Sequence, residues 1–383
     1  MRGLPFEYAV RNLGRSPARL AMSAGGSMLV VLLVIASTAF VAGMRGSLRV
    51  SGSPRNVILM GAGSEESVER SEIPMKTSTI AAASIAGIER IAGTEAVSAE
   101  IHSAIPIETS SGRRDNTLVR GVTPAAFLVH REVRLIDGRL PETGADEIAI
   151  GRMAAQGLGI RSLGERVKID DRPFTITGTL AADGGVVEGE IWMPLSDLMV
   201  VTQRDTLSCV VIRLEDQSIS AAQAFASTRF DLELSVVRED EYFAGLAAFF
   251  GPVRLMVIAT AILVAGGGVV GGLNTTYATF ASRVREIGTL RTLGYSRFAI
   301  LRNLIEESVL IASIGGLLAA VTASALLDGL TVQFSMGAFG LSVGPPELAL
   351  GLAAGLLLGV VGAVIPAIRC LRMPVPEALR AAA

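Results

Sequence analysis

The chain has 383 residues, half of them hydrophobic, 18% charged, with a formal net charge of −2. The charged fraction is below the roughly 25% usual for soluble domains, and the balance excludes a globally basic surface for nucleic acid. Two cysteines are too few for a disulfide framework or a cysteine metal site.

The charges are unevenly placed. Leu20–Met44, Leu255–Ser282, Ser308–Leu327 and Leu348–Ile368 hold almost none. Each window is long enough, at about 1.5 Å per residue, to cross a hydrocarbon core of roughly 30 Å. The block from Arg45 to Gly251 has ordinary polarity. The expectation is four transmembrane helices with a large α+β extracytoplasmic domain between spans one and two.

In chain order, residues 1–19 interleave Pro5, Phe6, Tyr8, Val10 and Leu13 with Arg2, Arg11, Arg15 and Arg19, the pattern of an amphipathic helix on a membrane surface. Residues 20–44 form the first span; the run is too long for a signal-peptide core and lacks a clean cleavage site. In the 45–250 domain, helices are expected at Thr77–Ile91, with Gly93 as its stop, and at Ser220–Thr228. Strands are expected at Val97–Ile101, Thr117–Gly121, Arg166–Ile169, Phe174–Leu180, Glu190–Met193 and Cys209–Leu214. Asp137-Gly138-Arg139 and Asp183-Gly184-Gly185 read as turns.

The second span, 253–282, carries Gly266, Gly267 and Gly271; the third, 303–328, carries Gly315 and Gly316. Glycines in membrane helices permit close backbone approach, so these five are read as helix-packing positions. Residues 329–346 are a short loop without Lys or Arg, 347–369 the fourth span and 370–383 a tail. The N-terminus, the 283–302 segment and the tail are rich in arginine, which places them in the cytoplasm and the 45–250 domain outside. Cys209 and Cys370 then lie on opposite sides of the membrane and cannot pair.

No enzyme constellation is present. His102 and His130 lack an HExxH spacing or a third ligand nearby in sequence and read as structural. Asp146-Glu147 reads as a solvated edge, and Gly61-Ala-Gly-Ser lacks the lysine of a P-loop. The spans carry no interior charges of the kind an ion-coupled pump needs. What stands out is Arg283–Arg302, with Arg283, Arg285, Arg291, Arg297 and Arg302 against Glu286. Ile287, Leu290 and Leu293 recur at helical spacing, and Gly294 follows as a stop. Glu306 and Glu307 open the third span, within reach of Arg302 or the headgroups.

Arg285, Glu286, Ile287, Gly288, Arg291, Gly294, Glu307, Gly315 and Gly316 match R-x-R-E-I-G-x-x-[RK]-x-x-G, a glutamate and a G-G pair. This segment resembles the FtsX/MacB-like permease family of ABC transporters. Ala9–Leu13, Asp137–Pro141, Glu147–Gly151, Leu163–Glu165, Phe174–Leu180 and Trp192–Leu195 are similar to its N-terminal helix and its MacB-like periplasmic core. The tail, Pro374-Val375-Pro376-Glu377-Ala378-Leu379-Arg380, departs from P-x-x-A-L-R by placing prolines on either side of the expected position.

The resemblance implies a type VII permease that passes ATP-driven motion to its external domain, for export or extraction of a lipophilic or peptide cargo. It implies a bacterial inner-membrane, multi-pass protein with both termini cytoplasmic. Its partners would be a cytoplasmic ABC ATPase dimer that binds ATP and Mg, a second or sister permease, a periplasmic adaptor or effector, and membrane lipids. No cofactor is expected in this chain. Arg285, Glu286, Ile287, Gly288, Leu290, Arg291, Leu293 and Gly294 would couple to the ATPase, the apolar stripe and Gly294 making contact and the arginines setting orientation. Two other readings are a signalling scaffold driving an external partner such as a cell-wall hydrolase, and a receptor without an ATPase.

Overall fold

The computed structural model describes residues 6–13, 17–334 and 337–380. Arg2, Pro5 and Arg15 of the expected surface helix, the middle of the 329–346 loop and the end of the tail lie outside the described residues. The chain divides into two compact units, residues 1–41, 252–329 and 341–383, and residues 42–251 and 330–340.

In the first unit, a helix at Phe6–Leu13 precedes the membrane helices. Among the described residues, four helices are long and apolar enough to cross a membrane, within Leu20–Ser51, Gly251–Ala281, Arg297–Leu326 and Pro345–Arg372. The fourth presents Gly351, Gly355 and Gly359, four residues apart and therefore on one face. A Cβ on Gly351 would lie 2.4 Å from Ile35 Cγ1, and one on Gly359 would lie 2.8 Å from Ala312 Cβ. The first, third and fourth helices thus meet through small residues, as expected where lipid supplies no hydrophobic drive for helix association.

The glycine predictions divide. A Cβ on Gly315 would sit 2.4 Å from Ala24 O, and one on Gly316 would sit 3.2 Å from Leu352 Cδ2. Gly266, Gly267 and Gly271 are different: a Cβ there meets nothing within 4 Å. They are not packing positions within this chain. The second helix has none of its apolar window buried, and Gly271 lines a cleft of about 250 Å³. Among its glycines, Gly268 makes close contact: a Cβ there would meet Val30 Cγ2 at 2.4 Å.

The second unit holds a mixed sheet. Its strands are β1 (Asn56–Gly61), β2 (Val97–Thr109), β3 (Arg114–Val122), β4 (Arg134–Gly138), β5 (Glu147–Gly151), β6 (Arg166–Ile169), β7 (Arg172–Ala181), β8 (Ile191–Pro194), β9 (Cys209–Arg213) and β10 (Leu234–Arg238). They run in the order β10-β1-β9-β2-β3-β8-β5-β7-β4, and β6 pairs with both β7 and β2. That double pairing closes β2, β3, β8, β5, β7 and β6 into a circuit. Only β3–β8 and β5–β7 are parallel, so the architecture is α+β and not doubly wound. The period-2 signal is clear in β7, where Phe174, Ile176 and Leu180 are buried and the threonines between them are half-buried. Ile101, Ile107, Ile148, Val167, Phe174 and Ile191 join one apolar core.

Three local expectations fail. Asp137-Gly138, read as a turn, ends strand β4, paired with Thr179 and Gly178 of β7, because the positive φ of Gly138 is accommodated at an irregular strand end as readily as in a turn. The helix read at Thr77–Ile91 ends at Ser84, with Ile85 already extended. Ile91 belongs to a short hairpin with Thr94–Glu95, and Gly93 serves its turn instead of stopping a helix. Ala and Ile there satisfy helix periodicity and sheet burial equally, so composition could not decide. The loop between the third and fourth spans contains a hairpin, Thr331–Phe334 with Gly337–Gly340. It packs within the second unit: a Cβ on Gly189 would lie 2.2 Å from Ala338 N.

Candidate functional site

Arg283 precedes the helix Val284–Thr292, at its N-cap position but without a side-chain capping bond. Val284, Ile287 and Gly288 are buried, while Arg285 and Thr289 are exposed. This spacing of three and four residues makes one inner face. Ile287 packs with Ile300 and Leu304 of the third membrane helix, and with Ala367 and Leu371 of the fourth. Gly288 admits the C-terminal helix Val375–Arg380, since a Cβ there would already sit 3.2 Å from Ala378 Cβ. The looser tail motif therefore still delivers its alanine to this helix.

The helix stops at Gly294, which has φ +87°. Tyr295 N donates to Leu290 O at 3.2 Å and Gly294 N to Arg291 O at 3.2 Å, the paired bonds of a Schellman ending. Ser296 then caps the third membrane helix, accepting from Ala299 N at 3.1 Å. A side chain at Gly294 would meet open space, so glycine is required there for its backbone conformation alone. Gly294→Ala should lower stability by about 1 kcal/mol, read as a small fall in Tm with no change in expression.

Charged groups tie this segment to its neighbours. Arg283 Nη1 donates to both oxygens of Glu307, at 3.1 and 2.9 Å, and Nε donates to Glu286 Oε2 at 3.0 Å. Asn12 Nδ2 donates to Glu307 Oε2 at 3.4 Å, and the Tyr8 hydroxyl donates to Glu286. One chain of bonds thus links the N-terminal helix, the 284–292 helix and the third membrane helix. Burial opposes the Arg283 charge, but Glu286 and Glu307 outweigh it and raise its pKa. Glu307 is 7% exposed, too buried to leave without a partner. Its partner is therefore Arg283, whereas Arg302 pairs with Glu306 at 2.7 Å.

The predicted residues do not share one exposed face. Ile287 is 4% exposed and belongs to the core, whereas Leu293 is 67% exposed and Phe298 74%. Arg291 donates to Met373 O at 2.6 Å and so holds the start of the tail. Glu286 and Gly288 act inward, and Leu290 is partly buried against the same core. Arg285 and Leu293 remain outward. Tyr8, Asn12 and Arg283 were missed as site residues. Only Arg283 had a local signal, Glu286 three residues on; the others meet partners more than 270 residues away.

The fold also gathers polar groups the sequence keeps apart. Glu100, His102 and Cys209 have donor atoms within 4.8 Å of one another, as do His130, Glu132 and Glu239. Each histidine therefore does have two further ligand-type groups near it. Arg120 Nη1 lies 3.1 Å from Glu100 Oε2, however, and any metal cation in the first set would have to displace that guanidinium.

Four apolar helices, a mixed-sheet domain inserted after the first, and a charged helix gripped between the second and third define a multi-pass membrane protein of the permease class. The MacB-like periplasmic core domain profile matches residues 20–227, and that of the FtsX-like permease C-terminal region matches residues 257–375. The chain belongs to the MacB/FtsX-like ABC permease family. It is similar to the macrolide export ATP-binding/permease protein MacB of Nitrobacter winogradskyi, 29% identical over 272 residues, covering 62% of this chain and 40% of that protein. It is also similar to the uncharacterized ABC transporter permease YknZ of Bacillus subtilis, 25% identical over 354 residues, covering 86% of each. The periplasmic region of MacB from Actinobacillus actinomycetemcomitans aligns over 52% of this chain and 94% of its own, with 14% identity and a TM-score of 0.39. The chain thus spans less than half of the first relative and most of the second, and what it matches is the permease portion.

Proposed function

We propose that this chain is the membrane-spanning part of an ABC transporter that passes ATP-driven motion to its 45–250 domain for export or extraction of a lipophilic or peptide cargo. The observation that carries this reading is the Tyr8–Glu286–Arg283–Glu307–Asn12 chain of bonds. A force on the 284–292 helix would reach the third membrane helix through the Arg283 guanidinium, which bridges Glu286 by Nε and Glu307 by Nη1 in charge-assisted hydrogen bonds. The third helix continues along the chain into the hairpin Thr331–Gly340, which belongs to the same compact unit as the large domain.

In this reading an ABC ATPase dimer binds ATP and Mg and docks on the cytoplasmic side, where positive-inside reasoning puts the arginine-rich 283–302 segment. The domain then lies outside the inner membrane, two permease copies or sister chains assemble, and a periplasmic adaptor or effector receives the motion. The contact face is Leu293 and Phe298, flanked by Arg285 and Arg297, all exposed. Leu293→Asp with Phe298→Asp should abolish co-purification of the ATPase while leaving the permease folded, because neither side chain is in the core. Unchanged co-purification and unchanged permease-dependent ATP turnover would remove this face from the reading.

A further inference from the structure

His130 follows the short helix Ala126–Val129 and is 1% exposed. Its Nε2 lies 2.8 Å from Glu100 Oε1. Its Nδ1 lies 3.4 Å from Glu239 Oε1 and 3.7 Å from Glu132 Oε1. Both ring nitrogens thus face carboxylate oxygens, which have only lone pairs to offer. The form of histidine that donates from both nitrogens is the imidazolium. Glu100 stays ionised because Arg120 Nη1 and His102 Nε2 hold its other oxygen at 3.1 and 3.0 Å.

Glu239 gives this pair a place in the architecture. It opens the helix Glu239–Phe249, which leads along the chain into the second membrane helix at Gly251. Its Oε2 accepts from Ser53 N at 3.0 Å and Asn56 Nδ2 at 2.9 Å. Ser53 lies just past the end of the first membrane helix, Ser51. Between them, a Cβ on Gly52 would lie 2.6 Å from Asp240 Cα. The segment arriving from the first membrane helix therefore crosses, backbone against backbone, the segment leaving for the second. Glu239 bonds across that crossing, and His130 anchors Glu239 to strand β2.

We propose that His130, as an imidazolium, is the positioning residue that locks this crossing, and that an alkaline medium unlocks it and loosens the domain's hold on both membrane connections. The consequence for transport rests on the coupling reading above; the lock itself does not. The charged and titratable groups around the ring are Glu100 and His102 on β2, Arg120 on β3, Glu132 beside it, Glu239, and Cys209 with Arg213 on β9. Arg213 reaches the crossing through Asn56 Oδ1 at 3.0 Å.

Burial alone would lower the His130 pKa, but the Glu100 charge and its hydrogen bond, with the Glu132 and Glu239 carboxylates facing Nδ1, raise it well above 6.5. Its folded value is above its unfolded one, so its stabilisation is complete below 6.5 and is lost as pH rises through the folded value. Burial also raises Cys209 above 9.0 and Tyr242 to about 12. Their stabilisation, lost in the same direction, is intact until pH passes 9.0. Burial lowers the His102 pKa below 6.5, and the titration of its unfolded form adds a small rise in stability at the bottom of the window; between pH 6.5 and 9.0 the fall in stability therefore belongs to His130.

The test uses the full chain in detergent. Across that window the wild-type Tm should fall by several degrees relative to His130→Gln, whose own profile keeps only the small rise from His102. Glu239→Gln should move the fall to lower pH, a shift that a purely steric role for Glu239 would not produce. The chain has two histidines, so His102→Gln leaves His130 as the sole imidazole for labelled-histidine NMR. Both ring nitrogens should remain protonated well above pH 6.5, a readout that does not depend on His130→Gln folding. A neutral ring at pH 6.5, or parallel wild-type and His130→Gln profiles, would overturn the lock. If both measurements hold but permease-dependent ATP turnover with the ATPase is flat across the window, the lock stands and its proposed link to coupling is overturned.

Discussion

Gly315→Leu is expected to prevent the membrane helices from assembling. The added side chain would begin 2.4 Å from Ala24 O, 2.9 Å from Ser27 Cβ and 3.0 Å from Met28 N. Two of these three atoms are backbone, so no rotamer change relieves the clash and the third helix has to move away from the first. Overpacking typically costs about 1–3 kcal/mol where side chains can adjust, and this site should lie at or beyond the upper end. Gly316→Leu should cost less, because its nearest neighbour is the flexible end of Leu352 at 3.2 Å. Gly266→Ala should be neutral or stabilising by up to about 1 kcal/mol, since it adds helix propensity in open space. Monodisperse yield and Tm in detergent rank the three. Equal behaviour of Gly315→Leu and Gly266→Ala would mean that the first and third helices do not meet as described.

Arg283→Ala should be the most damaging single change in the 283–302 segment. It leaves Glu307, 7% exposed, facing Asn12 alone at 3.4 Å. Removing one partner of a buried pair costs about 3–5 kcal/mol; the partial exposure of Arg283 places this case near about 3 kcal/mol. Arg283→Lys should recover only part of it, because a single ammonium cannot hold both Glu286 and Glu307 in the guanidinium geometry. Adding Glu307→Gln to Arg283→Ala should recover stability by removing the stranded charge. If coupling runs through the ion pair, that double variant will regain its Tm but not its stimulation of ATP turnover. Additive losses in the thermal cycle would show that the two side chains do not interact.

Much of the architecture was legible because membranes impose a coarse code. A span needs about 20 residues without charge, and four such windows stand apart from the rest of the chain. Helix Ser220–Thr228 and strand Arg166–Ile169 are found at the predicted bounds, where periodicity is unambiguous. Thr77–Ile91 and the hairpin at Thr331–Gly340 were misread because short apolar or Gly-containing stretches fit several local structures and tertiary contacts select among them.

The sequence by itself determined the number of spans, the α+β character of the inserted domain, the permease family and the stop at Gly294, since each follows from a local run, a local period or a local backbone demand. The tertiary structure decided which glycines pack, because Gly268 and Gly315 differ from Gly266 and Gly267 only in what stands opposite them. It also decided that Ile287 is core while Leu293 is surface, and that Arg283 serves Glu307. Those outcomes depend on contacts between residues distant in the chain, such as Tyr8 with Glu286 and His130 with Glu239. No window of sequence carries the register in which such pairs meet.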